Sequence, residues 1–247
     1  MFSAKVVRFL ISSICAFEIH MKMLSSGQAL DALIPVDCVS STELSGKVHS
    51  RQETLMGDAE IRPALRERLN LLIGNDEDTA IIEELGICRG QVRVDLAVVN
   101  GTIHGYEIKS ERDSLRRLAG QAALYNRVFD QVSLVVADRH IPEALDIVPV
   151  WWEILMFKPT DKGIRFTTAR RARKNPGRDS RSLVEFLWLD DAIALLEKHK
   201  ASRGVRGKPR RLVWDRVCEI IPVNEIGDAV RASLKARAMQ PEPVSLS

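Results

Sequence analysis

Asp95, Glu107 and Lys109 are the residues whose types and spacing could do chemistry together. In an extended segment the side chains of Glu107 and Lys109 share one face, because strand side chains alternate. Asp95 joins them if its own segment, "VRVDLAVV", is the neighbouring strand. Two carboxylates beside an ammonium offer hard oxygen ligands for Mg2+ (or Mn2+). Such a patch suits phosphodiester hydrolysis, in which the metal activates water and neutralises charge on the phosphate while the lysine orients or stabilises the hydroxide. A plainer reading competes with it. Glu107 and Lys109 could be a salt-bridged pair on an exposed sheet face, with Asp95 paired to Arg93 or to another strand.

The flanking patterns say which elements must position these groups. "VRVDLAVV" alternates Val92, Val94, Leu96 and Val98 with Arg93, Asp95, Ala97 and Val99. Asn100-Gly101 then gives a hairpin-turn signal before "TIHGYEIK", so two antiparallel strands are expected. A two-residue turn would set Asp95 opposite Tyr106 and leave the two carboxylates on opposite faces. Catalysis therefore requires a register shifted by one, through a three-residue loop ending in a left-handed residue or through a bulge near Asp95.

Ser110 with Asp113 reads as a capping box, and Leu115, Leu118, Ala119, Ala122, Val128 and Phe129 mark the buried stripe of a helix over about 112–129. "QVSLVVA" is an apolar strand reached through that helix, which predicts a parallel crossover. Upstream, Ile61, Ala64, Leu65, Leu69 and Leu72 have helical spacing from about Asp58, with Pro63 tolerable only near the first turn. "AIIEELGI" fits a strand or a short helix. The order is α, β, β, β, α, β. "WWEILMFKPTDKGIRFTTAR" predicts one or two edge strands, and three helical patterns follow as far as "NEIGDAVRASLKAR".

In this order and with these residues, the chain resembles the PD-(D/E)XK nuclease superfamily. Gln121-Ala-Ala-Leu-Tyr125 is similar to the Q-x-x-x-Y element of its RecB-like branch, and the likeness covers about residues 58–137. It implies an α/β, restriction-endonuclease-like αβββαβ core with a mixed sheet, and metal-dependent cleavage of DNA. Asp95 and Glu107 would bind the metal, Lys109 would assist the water, and Gln121 and Tyr125 would support the site or the substrate. Val94 stands where the family pattern has proline. For the family's upstream acid, Glu60, Glu83 and Glu84 compete. Glu84 lies nearest before the Asp95 strand and would be the third metal ligand.

Charge is uneven along the chain. Residues 1–150 carry 16 Lys/Arg against 21 Asp/Glu, and residues 151–247 carry 20 against 12. The basic excess suits a polyanion, so DNA is the expected partner, held through phosphates by Arg170, Arg171, Arg173, Lys208, Arg210 and Arg211. Trp188 and Trp214 adjoin these clusters as core anchors or, less commonly, base-stacking platforms.

Three regions are expected: 1–55, a weakly ordered extension or misassigned start; 56–150, the nuclease-like core; and 151–247, edge strands and a mostly helical basic C-terminal region. Four scattered cysteines without C-x-x-C spacing predict neither disulfides nor a zinc site. No apolar run reaches membrane-spanning length, and a cytoplasmic location follows as the expectation. A homodimer stays open. The alternative function is a non-catalytic DNA-binding or regulatory protein on the nuclease scaffold, or an interaction subunit of a bacterial defence or mobile-element system.

Overall fold

The computed structural model of this protein describes residues 56–239. The expectations for residues 1–55 lie outside the described residues. The fold is mixed α/β, with a six-stranded sheet in the order β1-β2-β3-β4-β5-β6. The strands are β1 (Ala80–Ile87), β2 (Val92–Val99), β3 (Ile103–Lys109), β4 (Gln131–Ala137), β5 (Glu153–Thr160) and β6 (Gly163–Arg170). β1, β2 and β3 pair antiparallel, β3–β4 and β4–β5 parallel, and β5–β6 antiparallel. The parallel crossover from β3 to β4 is as expected. β5 is an inner strand of the sheet, not an edge.

Helix α1 (Asp58–Ile73) buries Ile61, Leu65 and Leu69, one residue per turn along a single stripe. At its start the Gly57 amide donates to Glu60 Oε2 at 2.9 Å. Gly74 ends it with a φ of 63°, a conformation that glycine adopts at no steric cost. Pro63 sits in the second turn, deeper than expected. It supplies no hydrogen bond to the carbonyl of Ala59, and both residues are exposed, so solvent can satisfy that group.

The α1 stripe packs on Leu96, Val98, Tyr106, Ile108, Val135 and Leu155 to form one core. The second core lies on the other sheet face. It joins Leu85, Val94 and Tyr125 to Leu183, Trp214 and Val230. Those last three come from α4 (Ser180–Val184), α6 (Arg210–Ile220) and α7 (Val223–Ala238), which pack with α5 (Leu189–Lys198). The helical C-terminal part thus shares its interior with the sheet. Among the described residues no helix is long and apolar enough to cross a membrane.

The helix expected over about 112–129 is shorter. A 3-10 turn (Leu115–Arg117) leads into α2 (Leu118–Tyr125), while α3 (Ile141–Ile147) follows β4. Ser110 and Asp113 do bond, with the Ser110 amide and hydroxyl both donating to Asp113 Oδ2 at 2.7 Å. Their pairing closes a turn ahead of the helix. Ser114 is the residue that caps the 3-10 turn, accepting from the Arg116 amide at 3.3 Å.

Gly105 on β3 meets Phe129, and a Cβ built there would stand 2.9 Å from the fully buried ring. Gly105→Ala is therefore expected to destabilise by about 1–3 kcal/mol through overpacking. The measurement is the urea midpoint at constant m-value. An unmoved midpoint would show that the ring yields without cost.

Candidate active site

The hairpin register brings the carboxylates together. Val99 pairs with Ile103, Val98 with His104 and Leu96 with Tyr106, and Asp95 and Glu107 are the next residues beyond that last pair. The loop is the three residues 100–102, as catalysis requires. It contains no left-handed residue. The Asn100 side chain closes it instead, with Oδ1 accepting from the Thr102 amide at 3.0 Å.

A second irregularity falls on Asp95 itself. Val94 shares a core with Ala97 and Val99, whereas Leu96 and Val98 face α1, so strict alternation breaks between 94 and 97. Opposite it in the β1–β2 register lies Glu84, whose φ of 51° is left-handed and unusual for a residue with a side chain. The expected single face of Val92, Val94, Leu96 and Val98 is corrected accordingly.

Glu107 is 2% exposed and Lys109 6%, which removes the reading of a surface ion pair. Lys109 Nζ pairs with Glu107 Oε1. Gln121 Nε2 donates to the same oxygen at 2.6 Å, and the Tyr125 hydroxyl lies 2.6 Å from Glu107 Oε2. That hydroxyl is also 2.8 Å from the Arg93 carbonyl, so α2 is tied to both β2 and β3. Burial, then the charge of Glu107, pushes the Tyr125 phenol well up, and it stays a neutral donor. Gln121 Oε1 is buried without a hydrogen-bond partner among the described residues.

Asp95 Oδ2 accepts from the Ile108 amide at 2.6 Å, and Oδ1 lies 3.0 Å from Arg62 Nη2. Burial, then the charge of Glu107, pushes its carboxyl up to about 7 against the opposing pull of the Ile108 amide and Arg62. Its proton is thus exchangeable near neutrality.

Asp95, Glu107, Lys109 and Gln121 open into a cleft of about 800 Å3, which also holds Asp58 and Arg62 of α1, while Tyr125 lies buried behind Glu107. A depression of about 860 Å3 between α1 and β6 contains none of them. Asp95, Glu107, Lys109, Gln121 and Tyr125 therefore converge. Glu84 does not line the cleft; it reaches the site only through Arg62, which it pairs with from the far side. Glu83 pairs with Arg66, and Glu60 caps α1. The upstream acid that does line the cleft is Asp58, 2.9 Å from Arg62 Nη2. Asp58 and Arg62 were missed in the sequence, although their i, i+4 spacing on a helix was a visible signal.

The six proposed DNA-contacting residues divide. Arg170 is half-buried, and its guanidinium donates to the carbonyls of Trp152 at 2.8 Å and Pro149 at 2.9 Å, so it braces the chain beside β5. Arg171, Arg173, Lys208, Arg210 and Arg211 are exposed. Arg210 lies 5.2 Å over the Trp214 ring. Trp214 is a core anchor, whereas Trp188 is 52% exposed and stacks with Arg237.

A family profile described as "Bacteriophage P4 protein cII" matches residues 51–242. Protein cII of Enterobacteria phage P4 is 32% identical over 183 residues, covering 74% of this chain and 68% of the relative. A solved protein of unknown function from Silicibacter pomeroyi is also similar, at 22% identity and a TM-score of 0.36, over 61% of this chain and 92% of that one.

Proposed function

This chain belongs to the bacteriophage P4 protein cII family, and we propose that it is a metal-dependent nuclease of the PD-(D/E)XK type that hydrolyses phosphodiester bonds of DNA. The observation that carries this reading is the buried convergence of Asp95, Glu107 and Lys109, with Gln121 and Tyr125 fastened to Glu107. Kinship with the phage P4 protein cII adds no support to the nuclease and fits the regulatory reading below better.

The donor set fits a hard divalent cation. Asp95 and Glu107 supply carboxylate oxygens, and the unsatisfied Gln121 Oε1 is a neutral one beside them. Mg2+ is commonly held by one or two carboxylates, with water and substrate phosphate completing its shell. When bound, Mg2+ or Mn2+ would supply Lewis-acid activation of water and neutralise charge on the phosphate. Lys109, held by Glu107, is placed to steady the attacking hydroxide. Gln121 and Tyr125 act as positioning residues that fix the Glu107 carboxylate. Asp95 must shed its proton to act as a ligand, so metal affinity rises with pH through about 7.

A second reading, a DNA-binding or regulatory protein on the same scaffold, is favoured by the family match and by one observation of the site. Arg62 and Lys109 already neutralise Asp95 and Glu107, and among the described residues no three His, Cys, Asp or Glu side chains cluster for a metal. Incubating the purified protein with single- and double-stranded DNA, with and without Mg2+ or Mn2+, separates the two. Metal-dependent scission supports the nuclease, and DNA binding without scission supports the alternative.

A further inference from the structure

We infer that Arg93, Arg116 and Arg117 grip the DNA phosphates on either side of the one presented to Asp95 and Glu107. This rests on DNA as the substrate of the cleft. All three arginines line that cleft and are exposed, and among the described residues none has a hydrogen-bond or ion-pair partner for its guanidinium.

The acids around them are already engaged. Asp58 and Asp95 contact Arg62, Glu107 contacts Lys109, and Asp113 accepts from Ser110. The lining thus carries five cations against four carboxylates, and its three exposed arginines are the cations without an acidic partner, which favours an anionic ligand over a cationic one.

Their placement suits a strand running along α2. Arg116 and Arg117 stand at the entry to that helix. Arg93 lies at its other end, since its carbonyl receives the Tyr125 hydroxyl. Gln121, midway between, bonds the Glu107 carboxylate. Eight helical residues rise about 12 Å. At ~3.4 Å of axis per phosphate on one strand, that span covers about three phosphates. The middle one faces the carboxylates, and the arginines take those beside it. The surface at Gly120 is uncrowded, since even an added Cβ there would meet nothing within 4 Å.

The test is fluorescence anisotropy of labelled DNA, titrated with salt, using Glu107→Gln protein so that cutting cannot interfere. Adding Arg93→Ala, Arg116→Ala and Arg117→Ala is expected to reduce the slope of log affinity against log salt by about 2–3, at ~0.9 per lost phosphate contact on duplex. Binding should weaken at least tenfold, and lysine at the same positions should restore most of the slope. Circular dichroism confirms that the variants are folded. An unchanged slope in folded alanine protein overturns the inference. Cleavage by the unaltered protein is scored separately. No cleavage together with a fallen slope sinks the nuclease reading and leaves the grip standing; cleavage with an unchanged slope does the reverse.

Discussion

Replacing Glu107 by Gln is expected to reduce metal-dependent cleavage well over a hundredfold, since even groups that merely support a metal ligand cost about 10–100-fold when removed. Glu107 is the point where Lys109, Gln121 and Tyr125 meet, so its charge organises the site as well as offering an oxygen to the metal. The glutamine keeps the shape and can still accept from Gln121 or Tyr125. Lys109 loses its buried partner, which alone would destabilise. That cost is offset because Asp95, relieved of a neighbouring negative charge, ionises more readily and supplies a counter-charge in the same cleft. The melting temperature should accordingly move by only a few degrees, and DNA binding should persist. A variant that cuts like the parent would end the nuclease proposal. One that fails to fold would transfer the test to Asp95→Asn.

For Asp95→Asn, a stability gain that grows with pH is expected, alongside loss of cleavage. The folded protein raises the Asp95 pKa to about 7 from an ordinary 3.8. Folding therefore favours the neutral acid, and the stability tied to this group is present below pH 4 and lost as pH rises through 7. The cumulative loss is roughly 4 kcal/mol at about 1.36 kcal/mol per pKa unit. His104 works in the opposite sense. Burial holds it down to about 4, so its contribution is lost as pH falls from 6.5 through 4. The two oppose each other across the same interval, and subtracting the parent profile from the variant isolates Asp95. The difference should climb between pH 4 and 7 and then level. Arg62 retains Asp58 and Glu84 as partners, so its own cost enters only as a constant offset. Mg2+ at pH 8 should raise the melting temperature of the parent and not of the variant. A pH-independent difference would show that Asp95 titrates normally.

The order of elements through β4 could be read from residue patterns because each element carries its own periodicity. Glu107 and Lys109 were readable for the same reason, being two residues apart on one strand. Register was visible only as a requirement. The choice between a two- and a three-residue loop depends on the Asn100 side chain, which a dipeptide signal does not resolve. The face exchange at Asp95 left no mark, since apolar residues occupy both sides of a doubly covered strand. Asp58 and Arg62 reach the site from a helix more than thirty residues upstream, and nothing local to α1 reveals which strand it crosses. The C-terminal helices were legible as amphipathic segments, but a stripe does not name the surface that it covers.

The interior shared by the sheet and α4, α6 and α7 has a consequence for exchange between relatives. A crossover point between β6 and α4 would strip Leu183, Trp214 and Val230 from Leu85, Val94 and Tyr125. Exposing each large apolar side chain costs about 1.5–3 kcal/mol. A handful exceeds the 5–15 kcal/mol that typically holds a domain together. Recombination would then pass on the cleft and the basic helices as one block, and a hybrid would survive only where both parents had kept the buried contacts of that face mutually compatible.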